Sequence, residues 1–362
     1  MQPYILCNDL DPKTENQFYE AIKQPFVTKA ALLPDAHLGY DAPIGSVIET
    51  KGVVCPSWVG YDIGCGVEAI CFNIDYLKIM DKLPEIVSGI RATLSDREYR
   101  REQFGADRIY KLLTQDGKEI FDRRGAAKQL GTIGSGNHFV DLSYSERTGS
   151  LYCVVHSGSR GLGHGIGEHY MSNFDKFLGM DSPEAKDYFK DAFAATMFAH
   201  YSRGAMVDCV QAVVESAIGK YLFIDESRTA RRNHNTHHIT LDGSGVVHRK
   251  GTIHAYKGCL CPIPGNMAYG TVLVRGMGNP DTLESCSHGA GRSKSRGEAK
   301  RSADEIEFKG QMGDIIVPGE LMSYADENPN GYKDMAEVMG QQYNITCTYT
   351  DTLLPLAVIK GK

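Results

Sequence analysis

The chain has 362 residues, a formal net charge of −6, 42% hydrophobic residues and 23% charged ones. Such proportions suit a globular protein of one to three domains with a large core, and no apolar run approaches the roughly 18 residues that a membrane-spanning helix needs. The acidic balance excludes a non-specific nucleic-acid coat but not nucleic acid as a ligand, because phosphate affinity follows local patches.

In chain order, the opening MQPYILCNDLDPKTENQ has no basic segment followed by an apolar one, so no export signal is read and the cytoplasm is the expected compartment. A helix is expected at about 13–23. Strands are expected at GSVIET and GVVCP, which are β-branched and bounded by Gly or Pro. Residues 59–66, VGYDIGCG, then set Asp62 and Cys65 three apart among glycines. A second helix is expected at about 75–96. It runs into a basic stretch at 97–128 with Arg97, Arg100, Arg101, Arg108, Lys111, Lys118, Arg123, Arg124 and Lys128. GTIGSGNHF carries His138, the expected strand LYCVVH ends on His156, and HSGSRGLGHGIG follows it. A long helix is expected over 183–219, capped by Ser182 and opened by Pro183. Beyond it lie RRNHNTHH with His234, the strand TVLVRG, and SCSHGAGR with His288. Next come the basic GRSKSRGEAKR, the strand DIIVPG, a helix at about 333–342 and the strand TLLPLAVIK. The expected class is α+β, one large mixed domain over 1–362 with strands scattered among helices.

The 39 glycines gather beside His, Cys, Asp and Arg. Glycine permits close backbone approach, so this company points to a loop-built site. Asp62, Cys65, His138, His156 and His234 are the candidate ligands. A lone histidine after a strand is commonly a core or surface residue, but a carboxylate, a thiolate and three imidazoles together could complete a two-metal site in which the thiolate bridges. Ligand chemistry specifies a divalent transition metal and leaves zinc, manganese and iron open. No paired CxxC suggests a closed zinc site. Cys259 and Cys261 in GCLCP are read as packing residues, and the ten cysteines as reduced thiols.

Taken together, LPDAHLGYDAPIGSVI, VGYDIGCG, GTIGSGNHF, HSGSRGLG, HRKGT, IPGNM, VRGMGN, SCSHGAGR and the terminal VIKG resemble the RtcB family of RNA ligases, in the same order. The resemblance implies an RtcB-type fold around a dinuclear site. It also implies a GTP- and manganese-dependent ligase that joins RNA ending in a 3′-phosphate or 2′,3′-cyclic phosphate to RNA beginning with a 5′-hydroxyl. By motif, Cys65 would bridge two Mn²⁺ ions, His138 completing one of them and Asp62, His156 and His234 the other. His288 would be the nucleophile that accepts GMP. Asn137, His138, Phe139, Val140, Asp141, His234, Asn235, Pro264, Gly265, Asn266, Met267, Thr271, Gly289, Ala290, Gly291 and Lys360 fall where the family holds the guanine nucleotide. Arg160 falls where an RNA phosphate would be gripped, and Arg292 offers a second guanidinium.

The chain departs from the family pattern in several places. Asp141 stands where Glu is usual, Asn266 and Thr271 replace serines, DVHLG has become DAHLGY, and VGVDIGCGM has become VGYDIGCGV. Its compact length resembles the bacterial paralogues linked to release factor H, which implies repair of cleaved transfer or ribosomal RNA. An activating partner such as archease is a further implication. Two other functions fit the same ligands: a two-metal phosphoesterase, and a non-catalytic sensor of damaged RNA ends.

Overall fold

The longest helix forms where its sequence caps it. In the computed structural model, which describes residues 2–95 and 105–361, Ser182 accepts a hydrogen bond from the Ala185 amide, Pro183 occupies the first turn, and Gly219 ends Pro183–Ile218 in the left-handed region. This helix joins two apolar clusters. Tyr188, Ala195 and Phe198 pack into one, while Met206, Val210 and Val214 pack into the other.

The architecture is α+β, as expected. One sheet orders its seven strands as Leu260–Pro264, Thr271–Gly276, Cys347–Lys360, Phe139–Ser145, Ser150–Ser157, Gly66–Asp75 and Ala230–Asn233, every neighbouring pair antiparallel. Its register decides where the chemistry sits. Lys360 faces Phe139, Phe139 faces His156, and Gly66 faces both Ser157 and Asn233. Five adjacent strand ends therefore bring Lys360, His138, His156, Cys65 and His234 to one rim of the sheet. A second sheet orders Tyr4–Ile5, Val27–His37, Ile44–Lys51, Gly245–Lys250 and Asn235–Ile239. His234 lies between a strand of each sheet, so the rim is also where the two sheets meet.

Some expectations are corrected. The second helix runs over Leu83–Ser95, because residues before it close the strand Gly66–Asp75 and then make the 3-10 turns Tyr76–Lys78 and Met80–Lys82. Residue 96 of that expected helix, and Arg97, Arg100 and Arg101 of the basic stretch, lie outside the described residues. DIIVPG contributes a single bridge, Ile316 to Ala357, since Pro318 lacks an N–H and the partner strand is irregular between Pro355 and Ala357. The glycine-rich 160–173 forms the helix Arg160–Asn173. All ten cysteines are buried and none is joined in a disulfide, with Cys259 and Cys261 in an apolar cluster. Among the described residues no helix is long and apolar enough to cross a membrane.

A buried histidine sets an acid limit on this fold. His248 accepts the Cys55 amide on Nε2 at 2.9 Å and places Nδ1 at 3.1 Å from the Ile48 carbonyl, and burial lowers its pKa to about 3. The unfolded chain takes this proton near pH 6.5 and the folded chain only near 3, so stability falls as pH drops through that window. This one group is expected to cost about 2 kcal/mol between pH 6.5 and 5. Urea unfolding at both pH values should show the loss, with a shallower pH dependence in His248→Gln.

Candidate metal centre and nucleotide cleft

Two groups of ligand atoms converge at the rim among the described residues: Asp62, Cys65 and His138, and Cys65, His156 and His234, each within 4.8 Å. Cys65 belongs to both, the arrangement a bridging thiolate requires. The groups divide differently from the motif reading, for Asp62 sits with His138, its Oδ2 3.0 Å from Nε2, rather than with His156 and His234. His138 Nε2 and His156 Nε2 each stand 3.4 Å from Cys65 Sγ. Asp62 gets this close because residue 158 is glycine; a Cβ there would lie 2.0 Å from Asp62 Oδ1.

The protonation states fit a cation pair. Burial, reinforced by Asp62, pushes the Cys65 thiol well above its ordinary range, so a thiolate there calls for a metal. Burial drives His156 and His234 well below theirs, which keeps them in the neutral form that ligates. The Nδ1 atoms of His138 and His234 are buried without a partner.

A buried arginine holds the strand ends that carry these ligands. Arg203, on the long helix, donates to the Gly64 carbonyl at 3.1 Å, the Ser157 carbonyl at 2.9 Å, Asn233 Oδ1 at 2.6 Å and Glu68 Oε1 at 3.1 Å. Each of the first three acceptors is next in sequence to a ligand.

Beside the cluster opens a cleft of ≈ 870 Å³. Asn137, Phe139, Asp141, His234, Asn235, Pro264, Gly265, Asn266, Met267, His288, Gly289, Ala290, Gly291 and Lys360 line it. Val140 and Thr271 do not, nor does His138, which sits in the ligand group with Asp62 and Cys65. Strand alternation turns Phe139 and Asp141 toward the cleft and Val140 into the opposite core, and Thr271 is buried where its strand pairs with Pro264 and Leu353. Asn266 accepts from the Ala268 and Tyr269 amides, each at 3.0 Å, so it shapes its turn. Burial holds the Asp141 carboxyl well above the usual range and leaves its Oδ1 unpartnered.

His288 is fixed from behind. Its Nδ1 is 2.6 Å from Asp35 Oδ2, which also accepts the backbone amides of His288 at 2.9 Å and Gly289 at 3.4 Å. Burial raises the Asp35 carboxyl, but the contacts with His288 overcome this and hold it below its ordinary range. An acceptor at Nδ1 selects the tautomer protonated there and leaves the lone pair on Nε2. The His288 ring lies 4.8 Å from that of His234.

Arg160 does not line the cleft. It packs behind the cluster, with Nε 3.2 Å from Thr132 Oγ1 and a left-handed φ of 56°. Arg292 is committed to Glu327 Oε1 at 3.1 Å and the Asp326 carbonyl at 2.7 Å. The buried Glu327 also faces Arg296 at 3.5 Å and Lys360 at 3.9 Å, so three cations surround one carboxylate on this wall. Asp35, Arg203 and Glu327 carried no role in the sequence reading. Only Asp35 left a signal, inside LPDAHLGY.

Asp35→Asn keeps the shape but removes the charge. If His288 is the nucleophile that the family resemblance implies, this change is expected to slow its covalent labelling by roughly 10²–10⁴-fold, the scale of losing a fixed tautomer. The KM for the nucleotide should stay put while the rate falls. A drop in binding alone would show that Asp35 merely braces the loop.

A family model described as tRNA-splicing ligase RtcB matches residues 17–123 and 111–361. The chain is 30% identical to the RNA-splicing ligase RtcB of Escherichia coli K12 over 97% of this chain and 95% of that protein. It is 28% identical to the RNA-splicing ligase RtcB of Mycobacterium tuberculosis over 93% and 98%, and 27% identical to the tRNA-splicing ligase RtcB of Aeropyrum pernix over 91% and 87%.

Proposed function

The chain belongs to the RtcB family, and from that premise we propose that it is a GTP- and manganese-dependent RNA ligase. It joins a 3′-phosphate or 2′,3′-cyclic phosphate end to a 5′-hydroxyl end, in the repair of transfer or ribosomal RNA. We read residues 1–362 as one ligase domain acting in the cytoplasm, alone or with an archease-like activator.

The observation that carries the reading is the Asp35–His288 contact of 2.6 Å beside a thiol shared by two ligand groups. Two manganese ions held by Asp62, Cys65, His138, His156 and His234 would keep the thiol ionised and neutralise phosphate oxygens. The remaining chemistry belongs to the side chains. His288 Nε2 attacks the α-phosphorus of GTP, a nitrogen–phosphorus bond forms and pyrophosphate leaves. Asp35 steadies the ring as positive charge develops on it. The 3′-phosphate of the RNA, which a cyclic end becomes when water opens its bond to O2′, then takes GMP from His288, which turns a poor leaving group into a good one. Attack by the 5′-hydroxyl expels GMP and closes the phosphodiester. Asp141 Oδ1, buried and unpartnered on the cleft wall, is available to the nucleotide. The cations around Glu327 favour its phosphates, and Arg160 adds positive charge behind the Asp62 group.

The test is incubation with α-labelled GTP and Mn²⁺. Acid-labile, base-stable label on the protein supports the ligase. A two-metal phosphoesterase or a passive sensor of RNA ends would acquire none.

A further inference from the structure

Two tyrosine rings line the cleft, and a histidine ring packs against one of them. Tyr61 stacks on His164, centroids 4.9 Å apart and planes within 21°, and Tyr40 lies 5.5 Å from Tyr61. Tyr40 is 56% exposed, and Tyr40 and Tyr61 both line the cleft that holds Cys65 and His288. Tyr61 directly precedes Asp62. Two of these rings, Tyr40 and Tyr61, fall in the stretches where the chain leaves the family pattern, and His164 is a histidine to which the sequence assigned no role.

The platform is built to stay still. His164 projects from the helix Arg160–Asn173, whose Gly167 packs so close that a Cβ would lie 3.2 Å from Tyr61 Cα and 3.3 Å from the Gly60 carbonyl. On the other side, Lys250 Nζ donates to the carbonyls of Tyr40 and Ser57, the latter at 2.9 Å. Partly exposed rings held rigidly beside a reactive centre lose little freedom on stacking against a planar ligand. Any nucleobase presents such a face, and stacking tolerates all of them.

We propose that Tyr61, backed by His164 and flanked by Tyr40, is a stacking platform for the unpaired terminal base of an RNA strand entering the reactive centre. The inference rests on the ligase reading and adds a subsite to it. Because it reads no base edge, the platform accepts RNA ends regardless of sequence, which suits an enzyme that meets breaks at many positions.

The experiment uses the full chain with Mn²⁺ and short RNAs bearing 2-aminopurine at the terminus. One arm places it at the 3′-phosphate end, the other at the 5′-hydroxyl end. Stacking should quench the fluorophore in one arm with the wild type and with Tyr61→Phe. In Tyr61→Val the quench should vanish and the affinity for that RNA should fall about ten-fold, the scale of one lost base–aromatic stack; Tyr40→Ala should weaken the same arm. Equal quenching and affinity in Tyr61→Val, no quenching in either arm of the wild type, or a change confined to the KM for GTP would each overturn the platform. Labelling of the wild type by GTP, read on the same preparation, tests the ligase reading separately, so either idea can fail alone.

Discussion

The His288→Ala protein, loaded with manganese and given α-labelled GTP, is expected to acquire no covalent label and to join no RNA, a loss of at least about 10⁴-fold. No other imidazole on the cleft wall has the same setting. His37 turns Nδ1 to the Asp35 carbonyl at 2.9 Å, while His156 and His234 belong to the ligand group of Cys65. The substitution leaves Asp35 Oδ2 with its two backbone amides, so the loop keeps most of its anchorage. Losing one partner of a buried carboxylate still costs about 1–3 kcal/mol, which a thermal melt would register. His288→Asn retains a donor toward Asp35 and separates that structural cost from the chemistry. It should melt nearer the wild type and remain just as dead. Covalent label surviving in both variants would move the nucleophile elsewhere and remove the premise of the mechanism.

Cys65, His138 and His156 were legible because each sits at a strand end with a glycine within two residues, and strand ends leave local marks: β-branched runs, a stop and a polar residue. His156 closing LYCVVH and Cys65 opening the strand Gly66–Asp75 are of this kind. What stayed hidden is relational. The split of the ligands into two groups depends on the register that sets Phe139 against His156 and Gly66 against Asn233, and no spacing along the chain reports register. The helix Arg160–Asn173 reads as a loop because its glycines lower helix propensity, yet Gly167 is what lets that helix lie flush against the turn at 60–61. Val140 is the converse case. A motif carries a whole strand segment into a site, whereas the pleat admits only alternate residues. Asp35 and Glu327 act through partners more than two hundred and about thirty residues away, beyond the reach of local patterning.

Arg203→Met should cost the protein both stability and its metal centre. Arg203 and Glu68 are each 1% exposed, and Arg203 is the closer of the two guanidinium groups on that carboxylate, Arg231 standing at 3.6 Å. Burial raises the Glu68 carboxyl, but His200 and Arg203 together hold it below its ordinary range. Removing the guanidinium leaves the buried carboxylate with only His200 and the more distant Arg231, a change worth up to about 3–5 kcal/mol. That much follows for any buried ion pair. The second effect is particular to this site, because the same guanidinium ties Gly64, Ser157 and Asn233 together, and their neighbours Cys65, His156 and His234 form one ligand group. Freed strand ends should weaken metal binding about 10–100-fold, the scale of losing a group that orients ligands. Cobalt titration, followed through the thiolate-to-metal absorption, reads affinity without reference to ligation. Arg203→Lys should rescue little, since one ammonium cannot span acceptors arranged for a planar fork. The deciding variant is Glu68→Gln combined with Arg203→Met, which removes the charge of the buried carboxylate. Its melting temperature should recover toward the wild type while cobalt affinity stays low; recovery of both would mean that Arg203 serves only to neutralise Glu68.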